Sequence, residues 1–88
     1  MITLNDIFIN NLPTLDLHGM TREEARIMTM DFVHDNHYLK NKTIVIIHGF
    51  GTGIVKEAVH DELKHNRLVL SYHINPFNNG VTVINIKF

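Results

Sequence analysis

TIVIIHGFGTG, residues 43–53, is the stretch of sequence that decides the fold of this chain. Its first five residues are β-branched without interruption, which is typical of a strand buried on both faces of a sheet. Glycines at 49, 51 and 53 then indicate a turn, and residues 54–65 have the apolar spacing of an amphipathic helix. The stretch therefore predicts a central strand, a tight turn and a helix.

A second His-Gly step closes an earlier apolar run, LDLHG at residues 15–19. Residues 12–18 are predicted as a strand, with Leu15 and Leu17 on one face and Asp16 and His18 on the other. Pro13 suits an edge strand. If both runs are parallel strands of one βαβ unit, their carboxyl ends lie at the same sheet edge. The two histidines would then converge on one site.

The remaining elements complete a βαβαββ order. TREE at residues 21–24 has the spacing of a capping box, so a helix is predicted from Arg22 to His37 or Tyr38. Residues 68–74 are predicted as a third strand, residues 76–80 as a turn and residues 81–88 as an antiparallel fourth strand. We expect an α/β fold of the two-layer α+β kind, with two helices on a mixed four-stranded sheet. The buried stripe of the first helix is predicted to be Ala25, Met28, Phe32 and Val33.

Composition limits the classes of protein. The chain has 88 residues, enough for one modest core, so we expect an N-terminal arm at 1–11 and one stand-alone domain at 12–88. No cysteine is present, which is compatible with a reducing cytoplasm, and no apolar run is long enough to span a membrane. Eight basic residues against nine acidic ones give a net charge of −1. Any nucleic-acid binding must therefore be local.

His18 and His48 are the candidate acid–base groups, because an imidazole titrates near neutral pH and two of them could flank a phosphodiester. The alternative is that each histidine only caps a strand end. Asp16 shares the strand face of His18, where it could orient the imidazole, ligate Mg²⁺ or Mn²⁺, or hold a basic residue. A zinc site built from these three residues is a further alternative.

Backbone amides and cations near the same edge are candidate phosphate ligands. The turn Gly49-Phe50-Gly51-Thr52-Gly53 could present amides at the start of the second helix, although a tight turn without a ligand would also require glycines. Arg22 and Lys56 lie in the first turns of the two helices. The other predicted binding residues are Gly19, Asn79 and Gly80. The four histidines of the two predicted helices, at 34, 37, 60 and 65, are predicted to lie on solvated helix faces.

With these motifs in order, residues 12–88 resemble the small MutS-related (Smr) domain family. Its markers, Leu-Asp-x-His-Gly and His-Gly-x-Gly, stand at 15–19 and 48–51, and residues 79–83 look like its glycine-rich terminal segment. The resemblance implies a fold similar to the C-terminal domain of translation initiation factor three, nucleic-acid nicking or RNA cleavage, and ribosome association. It assigns function to Asp16, His18, His48, Gly49 and Gly51.

Two departures bear on activity. Phe50 stands where the family often has Lys or Arg, and Asn78-Asn79 where it is richer in glycine. Phe50 could instead stack on an unpaired base. We therefore predict an endonuclease that cleaves or nicks RNA or single-stranded DNA, with either no metal or Mg²⁺ or Mn²⁺. The alternatives are a noncatalytic module that binds nucleic acid or the ribosome, and a small enzyme acting on a phosphate ligand.

Overall fold

A computed structural model describes residues 11–88, so residues 1–10 of the predicted arm lie outside the description. The elements follow the predicted order: β1 (Thr14–Asp16), α1 (Arg22–Tyr38), β2 (Thr43–Ile47), α2 (Ile54–His65), β3 (Val69–Asn75) and β4 (Asn78–Ile86). They form a four-stranded mixed sheet with two helices, which confirms the predicted fold class.

The sheet order is β1-β2-β4-β3. β1 pairs with β2 in parallel, and β4 is antiparallel to both β2 and β3. It follows that β1, β2 and β3 all run in the same direction, although β4 separates the last two. Their carboxyl ends therefore lie at one edge of the sheet, as the sequence predicted for the first two strands.

The bounds of three strands differ from the prediction, and β4 ends at Ile86 instead of Phe88. β1 is shorter than residues 12–18 because only Thr14–Asp16 pairs with β2. β3 is displaced by one residue, and β4 begins at Asn78 because the connection is a two-residue hairpin turn rather than a loop over 76–80. The register of β4 is irregular next to this turn, where Ile74 pairs with Thr82 but Asn75 pairs with Asn78. Residues 79–81 consequently bulge toward the end of β2.

The helices form as their local signals predict. Thr21 Oγ1 accepts the Glu24 N–H at 3.2 Å and Glu24 Oε1 accepts the Thr21 N–H at 3.0 Å, so the capping box begins α1 at Arg22. No helix in the described range is long and apolar enough to cross a membrane.

The core lies between the helices and one face of the sheet. Of the predicted α1 stripe, Ala25 and Val33 are fully buried, and Met28 and Phe32 pack partly buried against the core. The prediction omitted Thr29 and Asn36, which are also buried on α1. The principal buried apolar residues are Leu17, Ala25, Val33, Ile44, Ile46, Ala58, Val59, Leu63, Ile84 and Ile86.

Candidate functional site

Three loops meet where β1, β2 and β3 end. A Cβ placed on Gly49 would lie 3.2 Å from the Cβ of His18, so the two His-Gly steps are in direct contact. The Gly80 carbonyl accepts the N–H groups of His48 at 2.9 Å and Gly49 at 3.0 Å. Gly49 also has φ +76°, a backbone conformation that favours glycine. The structure thus brings the two sequence motifs and the β3–β4 segment to one edge.

An open groove of about 790 Å³ lies between these loops and the starts of the two helices. Its volume is in the range of small-molecule sites. The predicted residues lining it are His18, Gly19, Arg22, His48, Gly49, Phe50, Thr52, Gly53 and Lys56. An adjoining recess is lined by Gly49, Phe50, Gly51, Gly53, Lys56 and Asn79.

Two predicted residues line neither space. Asp16 is hydrogen-bonded to His18 and is absent from both linings, and Gly80 is buried where its carbonyl holds the turn after β2. A Cβ on Gly80 would lie 3.3 Å from the backbone of Gly49, so this position supports the site by close packing.

Asp16 and His18 form an exposed pair. Asp16 Oδ1 lies 2.7 Å from His18 Nδ1 and also accepts the His18 backbone N–H at 3.1 Å. Hydrogen bonding to the carboxylate raises the pKa of His18, and the same bond lowers the pKa of Asp16. Because the carboxylate takes the proton on Nδ1, neutral His18 carries its free lone pair on Nε2. This nitrogen has no partner within residues 11–88.

His48 is in a different environment, since only 2% of it is exposed. Its Nε2 lies 2.8 Å from Thr82 Oγ1, and its Nδ1 lies 3.2 Å from the Gly49 carbonyl oxygen. Burial lowers the pKa of His48, with the Gly49 carbonyl acting in the opposite direction. The structure therefore brings the two predicted histidines together but gives His18 alone, of the two, a ring nitrogen without a protein partner.

His60 was predicted to be solvated, and that prediction is wrong. The residue is half-buried on α2, where its Nε2 lies 2.8 Å from the same Thr82 hydroxyl. Its ring packs against those of His48 and Tyr72 at centroid distances of 5.8 and 5.2 Å. The missed signal was Thr82, a polar residue at a position of β4 whose alternation with Ile84 directs it toward the helices.

Positive charge at the groove comes from the two predicted basic residues. Arg22 Nη1 lies 3.6 Å from Glu57 Oε1, and both side chains are more than half exposed, so this pair adds little stability. Lys56 has no ion-pair partner in the described part of the chain, and its charge contributes to lowering the pKa values of His48 and His60. The ammonium group is therefore free to meet an anion.

The start of α2 leaves its first amides unsatisfied. Gly53 is the N-cap, in a left-handed conformation with φ +84°, and it supplies no side-chain hydrogen bond to the helix. Thr52 Oγ1 is 3.5 Å from the Ile54 nitrogen, at the limit of a hydrogen bond. Such an uncapped helix start at a groove favours a bound anion.

A metal centre is not assembled from the predicted ligands. Across residues 11–88 no group of three His, Cys, Asp or Glu residues could hold a metal ion, so the zinc alternative built from Asp16, His18 and His48 is wrong. The reason is that the His48 ring is buried toward β4, whereas the Asp16–His18 pair is exposed.

Comparison with known sequences agrees with the motifs. Residues 15–87 match the model of the Smr domain family. Endonuclease MutS2 of Clostridium novyi is 36% identical over 77 residues, which cover 84% of this chain and 10% of that protein. Endonuclease MutS2 of Lactobacillus gasseri is 40% identical over 77 residues, covering 83% of this chain and 10% of that protein. The chain thus spans about a tenth of the length of these curated relatives.

Solved structures agree as well. The crystal structure of the Smr domain of Thermus thermophilus MutS2 superposes with a TM-score of 0.84 at 28% identity, covering 88% of this chain and 100% of that one. YdaL, a stand-alone small MutS-related protein from Escherichia coli, shares the fold with a TM-score of 0.77 at 24% identity, covering 85% of this chain and 64% of that one. The chain belongs to the Smr domain family.

Proposed function

We propose that the chain is an endonuclease domain that cleaves or nicks RNA or single-stranded DNA. The observation that carries this proposal is the Asp16–His18 pair, an imidazole oriented by a carboxylate at 2.7 Å beside an open groove. Similarity to the C. novyi and L. gasseri proteins named endonuclease MutS2 supports it.

His18 acts as the acid–base group in this mechanism. Asp16 holds the Nδ1 proton, so the Nε2 lone pair accepts a proton from the attacking hydroxyl or water. The new O–P bond forms as the bond from phosphorus to the leaving oxygen breaks. The imidazolium, stabilised by Asp16, then returns its proton to the leaving oxygen, which leaves His18 neutral for the next turnover.

The opposite side of the groove binds the phosphate. Amides of Gly51, Thr52 and Gly53, with those that begin α2, donate to the non-bridging oxygens, and Lys56 supplies a full positive charge. Arg22 contributes once the substrate competes with Glu57 for its guanidinium. His48 supports this side from below, because its ring lies under the glycine turn.

A cleavage assay tests the proposal. Wild type and His18→Ala are incubated with end-labelled single-stranded RNA and DNA, with and without Mg²⁺ or Mn²⁺, and the products are separated on a denaturing gel. His34→Ala is the matched control, because His34 and His18 have side chains that are 76% and 75% exposed. We expect cleavage by wild type and His34→Ala but not by His18→Ala. A folded wild type that cleaves neither polymer contradicts the proposal.

Phe50 favours a second candidate, a noncatalytic module that binds nucleic acid or the ribosome. This side chain is 77% exposed at the groove, where a base could stack on it, and it replaces a cation that would assist phosphoryl chemistry. Here we expect wild type and His18→Ala to bind single-stranded RNA equally and neither to cleave it. Loss of binding in His18→Ala would contradict this candidate.

A further inference from the structure

Four groups form a continuous hydrogen-bonded chain beneath the groove. It runs from His60 Nε2 to Thr82 Oγ1 at 2.8 Å, from Thr82 Oγ1 to His48 Nε2 at 2.8 Å, and from His48 Nδ1 to the Gly49 carbonyl oxygen at 3.2 Å. Thr82 is fully buried and His48 nearly so. The chain links α2, β4 and the turn after β2, and the proposed mechanism uses only its last bond, from His48 to the Gly49 carbonyl.

The direction of each bond follows from the donors available. A carbonyl oxygen only accepts, so His48 Nδ1 must carry a proton. Neutral His48 then has a lone pair on Nε2, and Thr82 must donate its single hydroxyl proton to it. The hydroxyl oxygen can still accept, so His60 Nε2 donates to Thr82. Burial, which lowers the pKa values of both histidines, keeps the rings neutral as this pattern requires.

The last bond of the chain fixes the peptide between Gly49 and Phe50. This peptide is trans, as are all those in the described range. In a planar trans peptide the carbonyl and the following N–H point in opposite directions. Because the Gly49 carbonyl is directed at the buried His48 ring, the Phe50 N–H is directed away from it. This N–H has no acceptor within residues 11–88, and Phe50 lines both the groove and the recess.

We propose that His60 and Thr82 are positioning residues, which hold His48 in its Nδ1–H tautomer so that the Phe50 N–H faces a phosphate oxygen in the groove. The identity of the bound anion rests on the proposed function, whereas the tautomer and the peptide orientation do not. His48 thus acts on the groove through the Gly49–Phe50 peptide and not through its own ring.

Nitrogen-15 NMR of the histidine rings tests the tautomer in the protein without a ligand. In wild type we expect His48 to have a protonated Nδ1 and an unprotonated Nε2 at pH 7.5. Thr82→Val removes the hydroxyl with little change of shape and leaves the buried Nε2 lone pair of His48 without a donor, so the preference for the Nδ1–H tautomer should weaken, whereas Thr82→Ser should retain it. His65 is an exposed histidine on α2, the helix that carries His60, and its ring-nitrogen signals should not change. Wild-type His48 protonated on Nε2, or an unchanged tautomer in Thr82→Val, would overturn the proposal.

A second pair of variants covers a failure of Thr82→Val to fold. His60→Phe removes the donor from α2 without altering β4, and His60→Gln restores an amide donor. We expect His60→Phe to broaden the tautomer distribution of His48 and His60→Gln to restore that of wild type. Equal tautomer distributions in wild type and His60→Phe would exclude His60 from the positioning role.

Affinity for a short oligouridylate tests the consequence at the groove. Loss of one oriented N–H that donates to a charged oxygen should weaken binding about tenfold in Thr82→Val and leave Thr82→Ser near wild type. If the His48 tautomer changes in Thr82→Val but the affinity for the oligonucleotide equals that of wild type, the role of the Phe50 N–H is overturned. No binding by wild type would contradict the proposed function instead, and the ring-nitrogen signals would still decide the role of His60 and Thr82.

Discussion

Replacing Gly49 by alanine should damage the fold and the site together. Two effects combine at this position: φ is +76°, and the added Cβ would lie 3.2 Å from the Cβ of His18. Gly19 is a close match for the first effect alone, because its φ is +77° and an added Cβ would meet nothing within 4 Å. The difference between the two variants therefore isolates contact between the His-Gly steps.

The expected magnitudes follow from these two terms. A left-handed conformation costs an alanine about 1–2 kcal/mol, and both variants incur that cost. Crowding against the His18 Cβ adds about 1 kcal/mol, the low end of the range for overpacking because His18 is largely exposed, and it applies to Gly49→Ala alone. We therefore expect losses of about 1–2 kcal/mol for Gly19→Ala and about 2–3 kcal/mol for Gly49→Ala. In a domain of this size each kcal/mol lowers Tm by about 4–8 °C.

Urea and thermal unfolding followed by circular dichroism measure both losses. The nitrogen-15 signals of the His18 ring report separately whether its contact with Asp16 is disturbed, which we expect in Gly49→Ala. Two results would refute steric contact between the His-Gly steps. One is equal free energies of unfolding for the two variants, and the other is unchanged nitrogen-15 signals of the His18 ring in Gly49→Ala.

Three further predictions concern charge and stacking. Asp16→Asn removes the carboxylate that raises the pKa of His18. The acid limb of the cleavage pH–rate profile should therefore move to lower pH, and the rate should fall about 10²–10⁴-fold. An unmoved acid limb would show that Asp16 does not set the pKa of His18. Burial lowers the pKa values of His48 and His60, so their contribution to stability is complete above about pH 6.5 and is lost as pH falls through the folded-state pKa values. The raised pKa of His18 has the opposite effect on stability, so the measurement uses His18→Ala. The urea midpoint of this variant should decrease from pH 8 to 5, and a constant midpoint would exclude the linkage. Phe50→Arg should tighten binding to single-stranded RNA and steepen the logarithmic salt dependence by about 0.7, whereas an unchanged salt dependence would show that residue 50 does not reach a phosphate.

Local chemistry explains what could be predicted from the sequence. The capping box at Thr21 placed the start of α1, and the β-branched run ending at Ile47 placed β2 with its observed bounds. The parallel direction of β1 and β2 follows from a short right-handed crossover, so contact between the two His-Gly steps was also predictable. These inferences need only neighbouring residues and one topological rule.

The environment of the histidines could not be predicted in the same way. His48 is buried because β4 lies between β2 and β3, and the order of strands in a sheet is a tertiary property. His60 contacts Thr82 because the orientation of α2 and the register of β4 bring them together, and the register is irregular near this point. Histidine spacing along α2 contains no information about a partner on a strand that comes later in the chain.

The most direct test of the central claim separates binding from chemistry at His18. Single-turnover cleavage rates and dissociation constants are measured with the same labelled single-stranded substrate for wild type, His18→Ala and His34→Ala. We predict that His18→Ala loses at least about 10²-fold in rate while its dissociation constant stays within about twofold of wild type, and that His34→Ala matches wild type in both. Equal cleavage rates for His18→Ala and wild type would contradict the account.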